Sequence, residues 1–323
     1  MISVVVPVHD EERTVALLYD ELESALQPLG QPWEAVFVDD GSTDGSFAAL
    51  TRLHNAKDNI RVIRLRKNFG KAAALAAGFA HAEGDVVVTI DADLQDDPGE
   101  IPRLLAKLDE GYDVVGGVRR SRQDSAARRA ASWLVNRVTS AITGIRMTDL
   151  GCMLRAYSRD VVEEINGCDE ASTFIPALAQ SFARRPTEVE VAHAPRAHGT
   201  SAYSLYRLIR LNFDLMTGFS LVPLQAFGLL GTLVAAGGIA FGVFLFIRRL
   251  IVGAEVEGVF TLFAILFTLV GIAMAGLGIV GEYVARIYQQ VRGRPRYRIS
   301  RVYGIGAQHP EPIDHRPETL VRR

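Results

Sequence analysis

The sequence predicts an α/β protein in which a mostly parallel sheet with helices on both faces is followed by two apolar helices. Three observations along the 323 residues support this class. Short β-branched runs alternate with segments of helical periodicity, as in sheets built from strand–helix–strand units. Acidic residues directly follow two of the predicted strands. Two uncharged stretches nearer the C-terminal end each exceed the roughly 20 residues that cross a bilayer core as a helix.

The alternating segments follow one another from the N-terminal residue onward. The run 3–8 predicts a strand, and apolar residues recur at helical spacing in 11–26. The further predicted strands are 33–38, 60–65, 85–90 and 113–118, and the further predicted helices are 44–53, 71–81 and 98–110. No G-x-G-x-x-G sequence follows the first strand, so the dinucleotide-binding fingerprint is absent.

Composition narrows the class further. The formal net charge of -2 favours no nucleic-acid partner. The two cysteines, Cys152 and Cys168, are too few for a disulfide framework, and we expect both to be reduced. The first residues enter a strand without a basic region or a cleavage site, so we expect no signal peptide.

The two uncharged stretches are 223–247 and 258–281. A pair of buried helices in a soluble domain is the alternative, but two such runs side by side favour a transmembrane hairpin. Arginines dominate both flanks, which places the flanks in the cytoplasm under the positive-inside rule. Arg248 and Arg249 between the runs argue mildly against this orientation, but they are outnumbered and can reach the interface.

These features predict four regions. Residues 1–200 form a cytosolic catalytic domain, 201–220 an interfacial amphipathic helix, 221–290 the transmembrane hairpin and 291–323 a basic cytosolic tail. The part of the tail from residue 306 onward is rich in proline and charge and is predicted to be disordered. A hairpin buries little surface by itself, so we expect membrane lipids and further copies of the chain as partners.

The acidic residues predict a ligand site at the carboxyl edge of the sheet. Asp91 and Asp93 follow the strand 85–90, and two carboxylates at this spacing can present oxygens to one Mg²⁺ or Mn²⁺. A solvated acidic turn is the alternative. Asp39 and Asp40 follow the strand 33–38, where either could accept hydrogen bonds from a base or ribose.

Four short sequences, in this order, resemble family 2 glycosyltransferases of the GT-A fold: V-P-V-x-x-E, V-D-D-G-S-T-D, R-K-N-F-G-K and D-A-D-L-Q. Later segments, 149–157, 172–176 and 281–297, resemble the branch that loads sugars onto polyprenyl phosphates. Within this branch, which includes dolichyl-phosphate mannose synthases, the chain is most similar to undecaprenyl-phosphate 4-deoxy-4-formamido-L-arabinose transferases. The resemblance implies a GT-A catalytic domain, with its Rossmann-like sheet.

The resemblance also implies roles for individual residues. The implied nucleotide-binding residues are Pro7, Glu11, Asp39, Asp40, Lys71 and Asp91. Asp91, Asp93 and Gln95 would surround a divalent metal, Mg²⁺ or Mn²⁺, with Asp91 and Asp93 as the catalytic residues. A lipid phosphate is already anionic near neutral pH, so a general base is dispensable.

Basic residues are expected to hold the acceptor phosphate and the donor. Arg119, Arg128 and Arg129 are the candidates for the acceptor phosphate, and a basic face that touches anionic lipid headgroups is the alternative. Arg196, Ser201 and Tyr203 match the family's mobile loop, R-x-x-G-x-S-K-Y. Two cations of the family pattern are replaced by Ala171 and Ala202, which leaves the identity of the sugar open. His193 and His198 are interpreted as surface or packing residues.

The sequence therefore predicts an inverting, metal-dependent transfer of a sugar from a UDP-sugar to undecaprenyl phosphate at a bacterial inner membrane. The protein would be multi-pass, with its catalytic domain and both termini in the cytoplasm. The first candidate sugar is 4-deoxy-4-formamido-L-arabinose, and glucose, mannose or an N-acetylated sugar from a UDP- or GDP-linked donor are alternatives. A processive polysaccharide synthase is disfavoured because no Q-x-x-R-W motif is present. A catalytically silent nucleotide- or lipid-binding scaffold is the alternative of another class.

Overall fold

The computed structural model describes residues 1–119, 148–149, 152–168, 174–193, 217, 220–252, 259–291 and 295–305. Most of the predicted interfacial helix 201–220 and the predicted disordered segment 306–323 lie outside the described residues. The described chain divides into two compact units. One contains the residues up to 193 together with 295–305, and the other contains the residues from 217 to 291.

The first unit is built on a mixed sheet with eight strands among the described residues. The strands are β1 Ile2–Val8, β2 Trp33–Asp39, β3 Ile60–Leu65, β4 Val86–Thr89, β5 Val114–Arg119, β6 Arg155–Ser158, β7 Pro186–Val191 and β8 Ile299–Tyr303. Their order is β7-β5-β6-β4-β1-β2-β3-β8. Strands β3, β2, β1 and β4 run parallel to one another, whereas β6 and β8 are antiparallel to their neighbours. This arrangement confirms the predicted α/β class.

Helices cover both faces of this sheet. They are α1 Val15–Leu26, α2 Ser46–Ala56, α3 Lys71–His81, α4 Ile101–Asp109, α5 Arg159–Gly167 and α6 Ile175–Phe182. Every residue of β1 is buried, as expected for a central parallel strand that is covered on both sides. α1 begins at Val15 rather than at the predicted Glu11, because Asp10 has a left-handed backbone with φ of 55° and the chain turns before the helix starts.

A buried polar network closes the amino edge of the parallel strands. Glu34 is fully buried, and one of its carboxylate oxygens accepts hydrogen bonds from Ser3 Oγ at 2.6 Å and from the Glu83 amide at 2.7 Å. The other carboxylate oxygen lies 3.5 Å from Arg61 Nε. Arg61 also pairs with the side chain of Glu83, so this network ties β1, β2 and β3 to the turn that precedes β4.

Strand β8, like β6 and β7, was not predicted from the sequence. It pairs antiparallel with β3 at the sheet edge, and the Arg66 amide donates to the Arg298 carbonyl at 2.9 Å. The Tyr303 ring packs against Phe47 and His54, with ring centroids 6.2 and 5.6 Å away. The alternation of apolar and polar residues in β8 is too short to distinguish this strand from the basic segment around it. The strand forms because the edge of β3 supplies its hydrogen-bond partners.

The second unit consists of two long helices, α7 Val222–Val252 and α8 Val259–Val291. Each contains a segment long and apolar enough to cross a membrane, Val222–Phe244 and Thr268–Tyr288, of which 0 % and 6 % of residues are buried. This exposure differs from that of a core helix in a soluble domain. The helices touch where a Cβ on Gly276 would lie 2.1 Å from the Phe227 ring, so a side chain there would separate them.

Candidate active site

The carboxyl ends of β1, β2 and β4 meet at one edge of the sheet. The register places Val8 beside Asp39 and Val5 beside Thr89, so the residues that follow these strands lie together. The chain leaves β1 at His9, β2 at Asp40 and β4 at Ile90. This is the edge at which open parallel sheets bind ligands.

Asp10 fastens the loop that follows β2. Its Oδ1 accepts hydrogen bonds from the amides of Thr43 at 2.8 Å and Asp44 at 3.3 Å, while its own amide donates to Ser42 Oγ at 3.1 Å. The left-handed conformation of Asp10 is unusual for a residue with a Cβ, and these bonds hold it in place. Asp44 in turn accepts from the first helical amide of α2, that of Ser46, at 2.9 Å. This contact ties the loop after β2 to the first turn of α2.

Asp40 orders the loop 66–70 rather than facing open solvent. Its two carboxylate oxygens accept from the amides of Phe69 at 2.7 Å and Gly70 at 2.9 Å. Burial raises the pKa of Asp40, and the two amide hydrogen bonds oppose this rise. A Cβ on Gly41, whose φ is 66°, would lie 2.4 Å from the backbone carbonyl carbon of Lys67. The two loops are therefore packed backbone to backbone.

His9 joins the same two loops. Its Nδ1 lies 3.1 Å from the Asp40 carbonyl oxygen, which can only accept, so Nδ1 carries the hydrogen. Nε2 is then the acceptor for Asn68 Nδ2 at 2.9 Å. The ring thereby bridges the end of β1 to both loops.

The other predicted nucleotide-binding residues lie around this edge. Asp39 is fully buried at the end of β2, where it accepts from the Ser42 amide at 3.0 Å and lies 3.2 Å from Arg64 Nε. Pro7 is buried within β1 beside Val38. Glu11 is half-buried, and its amide donates to Ser46 Oγ at 2.8 Å.

The acidic turn after β4 holds the predicted metal ligands. Asp91 binds Lys71, whose Nζ lies 2.8 Å from both carboxylate oxygens. Asp93 Oδ1 accepts from the Gln95 amide at 3.2 Å, and Leu94 between them has a φ of 59°. Asp91, Asp93 and Gln95 are all half-buried, so their oxygens remain reachable from solvent.

The donor atoms of Asp91, Asp93 and Gln95 are of the chemical type that binds a divalent cation. Two carboxylates and an amide oxygen are hard donors of the type that Mg²⁺ and Mn²⁺ prefer. Asp91 already binds one cationic group, the Lys71 ammonium. Among the described residues no cluster of three or more His, Cys, Asp or Glu side chains could hold a metal. Such a partial donor set suits Mg²⁺, which is usually held by one or two carboxylates together with substrate phosphates.

Asp96 and His193 form a pair that sequence reasoning missed. His193 Nδ1 lies 3.1 Å from Asp96 Oδ1, and the two residues also form an isolated backbone bridge. Burial and then the negative charge of Asp91 raise the pKa of Asp96, and the contact with His193 opposes the rise. The interpretation of His193 as a surface or packing residue therefore leaves out its contact with a buried carboxylate. The two residues are 97 positions apart, and only the fold joins them.

A second cluster surrounds Asp149 at the end of β5. Arg119 donates to Asp149 from Nε at 2.6 Å and from Nη2 at 2.8 Å, and these bonds raise the pKa of the guanidinium. Arg155 is buried, and it donates to the carbonyls of Asp149 at 2.8 Å and Cys152 at 3.0 Å. The predicted acceptor ligand Arg119 thus shares its charge with a buried carboxylate.

The remaining predicted site residues lie outside the described part of the chain. These are the acceptor candidates Arg128 and Arg129 and the mobile-loop residues Arg196, Ser201 and Tyr203.

Comparison with known proteins gives a consistent relationship. Residues 3–166 match the family model described as Glycosyl transferase family 2. The undecaprenyl-phosphate 4-deoxy-4-formamido-L-arabinose transferases of Salmonella paratyphi B and Salmonella enteritidis PT4 are each 47% identical over 304 residues, covering 93% of this chain and 93% of theirs. A crystal structure of the Mycobacterium tuberculosis glucosyl-3-phosphoglycerate synthase with Mn²⁺ and UDP-glucose has a TM-score of 0.47 and 23% identity, covering 69% of this chain and 78% of that chain.

Proposed function

This chain belongs to glycosyltransferase family 2, and from that premise we propose that it transfers a sugar from a UDP-sugar to undecaprenyl phosphate. The observation that carries the proposal is the 47% identity to undecaprenyl-phosphate sugar transferases over 93% of both chains. A match of this extent reaches past the sheet into the two apolar helices. Those helices are what an enzyme with a membrane-embedded acceptor needs in addition to a nucleotide site.

We assign the nucleotide to the carboxyl edge around β1 and β2. Asp40 acts there by fixing the amides of Phe69 and Gly70, and Asp39 and Pro7 line the end of the strands. Glu11 supports the start of α2 through its amide bond to Ser46. Lys71, at the start of α3, supplies the positive charge for the donor diphosphate.

Asp91, Asp93 and Gln95 would hold the divalent metal. When bound, Mg²⁺ or Mn²⁺ supplies Lewis-acid stabilisation of the charge on the departing UDP. The remaining task of the chain is to align the acceptor phosphate with the anomeric carbon of the sugar. The acceptor is already an anion, and attack on the face opposite UDP inverts the configuration without a general base.

Arginines after β5 are proposed to bind the acceptor phosphate. The candidates are Arg119, Arg128 and Arg129. The bidentate pair with Asp149 holds the Arg119 guanidinium in one orientation, which would limit the entropy lost when a phosphate binds its outer side.

Both outer ends of the apolar hairpin are proposed to lie on the cytoplasmic side of a bacterial inner membrane. α8 ends at Val291 and β8, a strand of the catalytic unit, begins at Ile299. The eight residue steps from Val291 to Ile299 reach at most about 29 Å when fully extended, which is less than a hydrocarbon core of about 30 Å. Two spans then return the chain to the side on which it started.

The first candidate sugar is 4-deoxy-4-formamido-L-arabinose, because the Salmonella relatives carry that specificity in their names. Glucose, mannose or an N-acetylated sugar are the alternatives, since the side chains that contact the sugar set the specificity. A silent scaffold is disfavoured because the acidic turn retains both carboxylates.

The test is transfer of radiolabelled sugar into a solvent-extractable lipid by the full-length protein in detergent. The reaction contains undecaprenyl phosphate, Mg²⁺ or Mn²⁺ and one member of a UDP-sugar panel that includes the 4-formamido-arabinose donor. We expect a single labelled lipid that disappears with EDTA. The absence of product with every donor, although UDP binds, would contradict the proposal and favour the scaffold.

A further inference from the structure

An ion pair joins a residue assigned to the nucleotide with a residue assigned to the metal. Lys71 Nζ donates to both carboxylate oxygens of Asp91 at 2.8 Å, a chelating contact that occupies both oxygens. The Lys71 side chain is 50% exposed and that of Asp91 is 21% exposed. The pair therefore lies at the surface of the site, where a ligand can reach it.

The backbones on both sides of this pair are held in place. Lys71 is the first residue of α3, and the amide of the preceding Gly70 binds Asp40. Asp91 follows Ile90, the first residue after β4, and the Ile90 amide donates to the Val5 carbonyl. Any rearrangement of the pair is therefore confined to the side chains, and the flexible four-carbon stem of lysine allows its ammonium to move.

The ammonium competes with a divalent cation for the same carboxylate. A +1 charge within a few ångströms of a +2 charge weakens binding of the latter even at high dielectric. The turn still carries excess negative charge with Lys71 in place, because one ammonium offsets only one of the two carboxylates, Asp91 and Asp93. Lys71 thus lowers the affinity of the turn for a cation without abolishing the attraction.

We propose that Lys71 exchanges between Asp91 and the donor diphosphate, so that the divalent cation and the nucleotide bind cooperatively. Without donor, the ammonium neutralises Asp91 and keeps the affinity for a free cation low. With donor, Lys71 leaves Asp91 for a diphosphate oxygen and the carboxylate becomes available to the cation. This inference rests on the proposed function, and it makes Lys71 a residue that couples two ligands rather than one that binds only the nucleotide.

The test measures Mn²⁺ binding to the full-length protein in detergent by electron paramagnetic resonance of free Mn²⁺, with and without UDP. For the unchanged protein we expect UDP to tighten Mn²⁺ binding by about tenfold or more. In Lys71→Met, Mn²⁺ alone should bind about tenfold more tightly, since a like charge has been removed. UDP should still tighten Mn²⁺ binding in this variant, because its phosphate oxygens complete the donor set, but by a clearly smaller factor than in the unchanged protein. The effect of Mn²⁺ on UDP binding should shrink by the same factor.

The matched control is Lys107→Met. Lys107 Nζ makes the same two-oxygen contact with a carboxylate, Glu110, at 2.8 and 2.7 Å on the exposed face of α4. Its removal should leave both affinities unchanged. Lys71→Arg keeps the charge and should retain weak binding of Mn²⁺ alone.

The outcomes separate this inference from the function on which it rests. Unchanged affinity for Mn²⁺ alone in a folded Lys71→Met protein would overturn the exchange while leaving the transferase proposal intact. Failure of the unchanged protein to bind Mn²⁺ even with UDP would contradict the metal site itself. A thermal unfolding midpoint for Lys71→Met equal to that of the unchanged protein establishes that the variant is folded.

Discussion

At the amino edge of the parallel strands the carboxylate of Glu34 is fully buried and surrounded by donors, whereas at the carboxyl edge Asp91 and Asp93 remain half-exposed. The two edges are the opposite ends of the same parallel strands. At the amino edge Gly84 approaches Ser3 so closely that a Cβ would lie 2.6 Å from the Ser3 amide. The carboxyl edge keeps room for a ligand among its acidic residues.

The edges also differ in backbone conformation. Within the described residues, the two non-glycine residues with positive φ, Asp10 and Leu94, both follow carboxyl ends of strands. A left-handed backbone at a residue with a Cβ costs about 1 kcal/mol and persists only where neighbours hold it. The comparison indicates that contacts at the amino edge raise the free energy of unfolding. Backbone strain at the carboxyl edge lowers it, and this strain positions the side chains of the site.

The largest effect that would test this division is the loss of transfer in Asp93→Ala. Removing one carboxylate from a metal site forfeits several kcal/mol of charge stabilisation, so we expect transfer to fall at least about 1000-fold. The thermal unfolding midpoint should stay within about 2 °C, since Asp93 is half-buried at the open edge. Labelled lipid formation and thermal unfolding measure the two quantities, and the exposed Asp109→Ala serves as the control. Full activity of Asp93→Ala would refute the metal assignment.

Glu34→Ala should show the reverse pattern. It leaves Arg61 without one of its two carboxylate partners and removes the acceptor of the Ser3 hydroxyl and of the Glu83 amide. We therefore expect the free energy of unfolding to fall by about 3 kcal/mol. Activity per folded molecule at low temperature should remain. Glu110→Ala removes an exposed partner of Lys107 and should change stability by less than about 0.5 kcal/mol. Equal stability of the two variants would show that the amino-edge network contributes nothing.

A smaller effect comes from comparing two glycines that have nearly the same φ. Gly30 has a φ of 64° with nothing within 4 Å of a Cβ, and Gly41 has a φ of 66° with the Lys67 backbone at 2.4 Å. Substitution by alanine costs about 1 kcal/mol at either position from the left-handed conformation. Gly41→Ala must in addition push the loop after β2 away from the loop 66–70. We therefore expect the affinity for UDP, measured by calorimetry, to fall about tenfold. Gly30→Ala should bind UDP normally, and equal binding by both variants would contradict the packed-loop site.

Much of the sheet was predictable because its signals are local. The strand 60–65 and the helix 71–81 were predicted with the observed bounds, since β-branched runs and an alanine-rich segment bordered by turn residues leave few alternatives. Strand β8 was missed because its five residues carry no such pattern, and only the free edge of β3 gives them a place.

The candidate site likewise contains features that could be predicted from the sequence and features that could not. The acidic turn after β4 was predictable, because its residues are adjacent in the chain. The pairing of Asp96 with His193 and of Arg119 with Asp149 was not, because each joins residues that are far apart in sequence. For the pair of Asp96 and His193 the sequence offers only weak signals. Asp96 stands one position after D-A-D-L-Q, and His193 stands two positions after the end of β7.

The sequence by itself determined the α/β class, the acidic turns at strand ends and the two apolar helices, because hydrophobic periodicity and turn chemistry act over a few residues. Only the tertiary structure decided what each acidic side chain binds. It assigned Asp40 to the amides of Phe69 and Gly70, buried Glu34 against Ser3, and placed Lys71 on Asp91. The physical reason is that each of these carboxylates pairs with hydrogen-bond donors from segments that are distant in sequence. Those segments come close to the carboxylate only when the strands align in the folded protein.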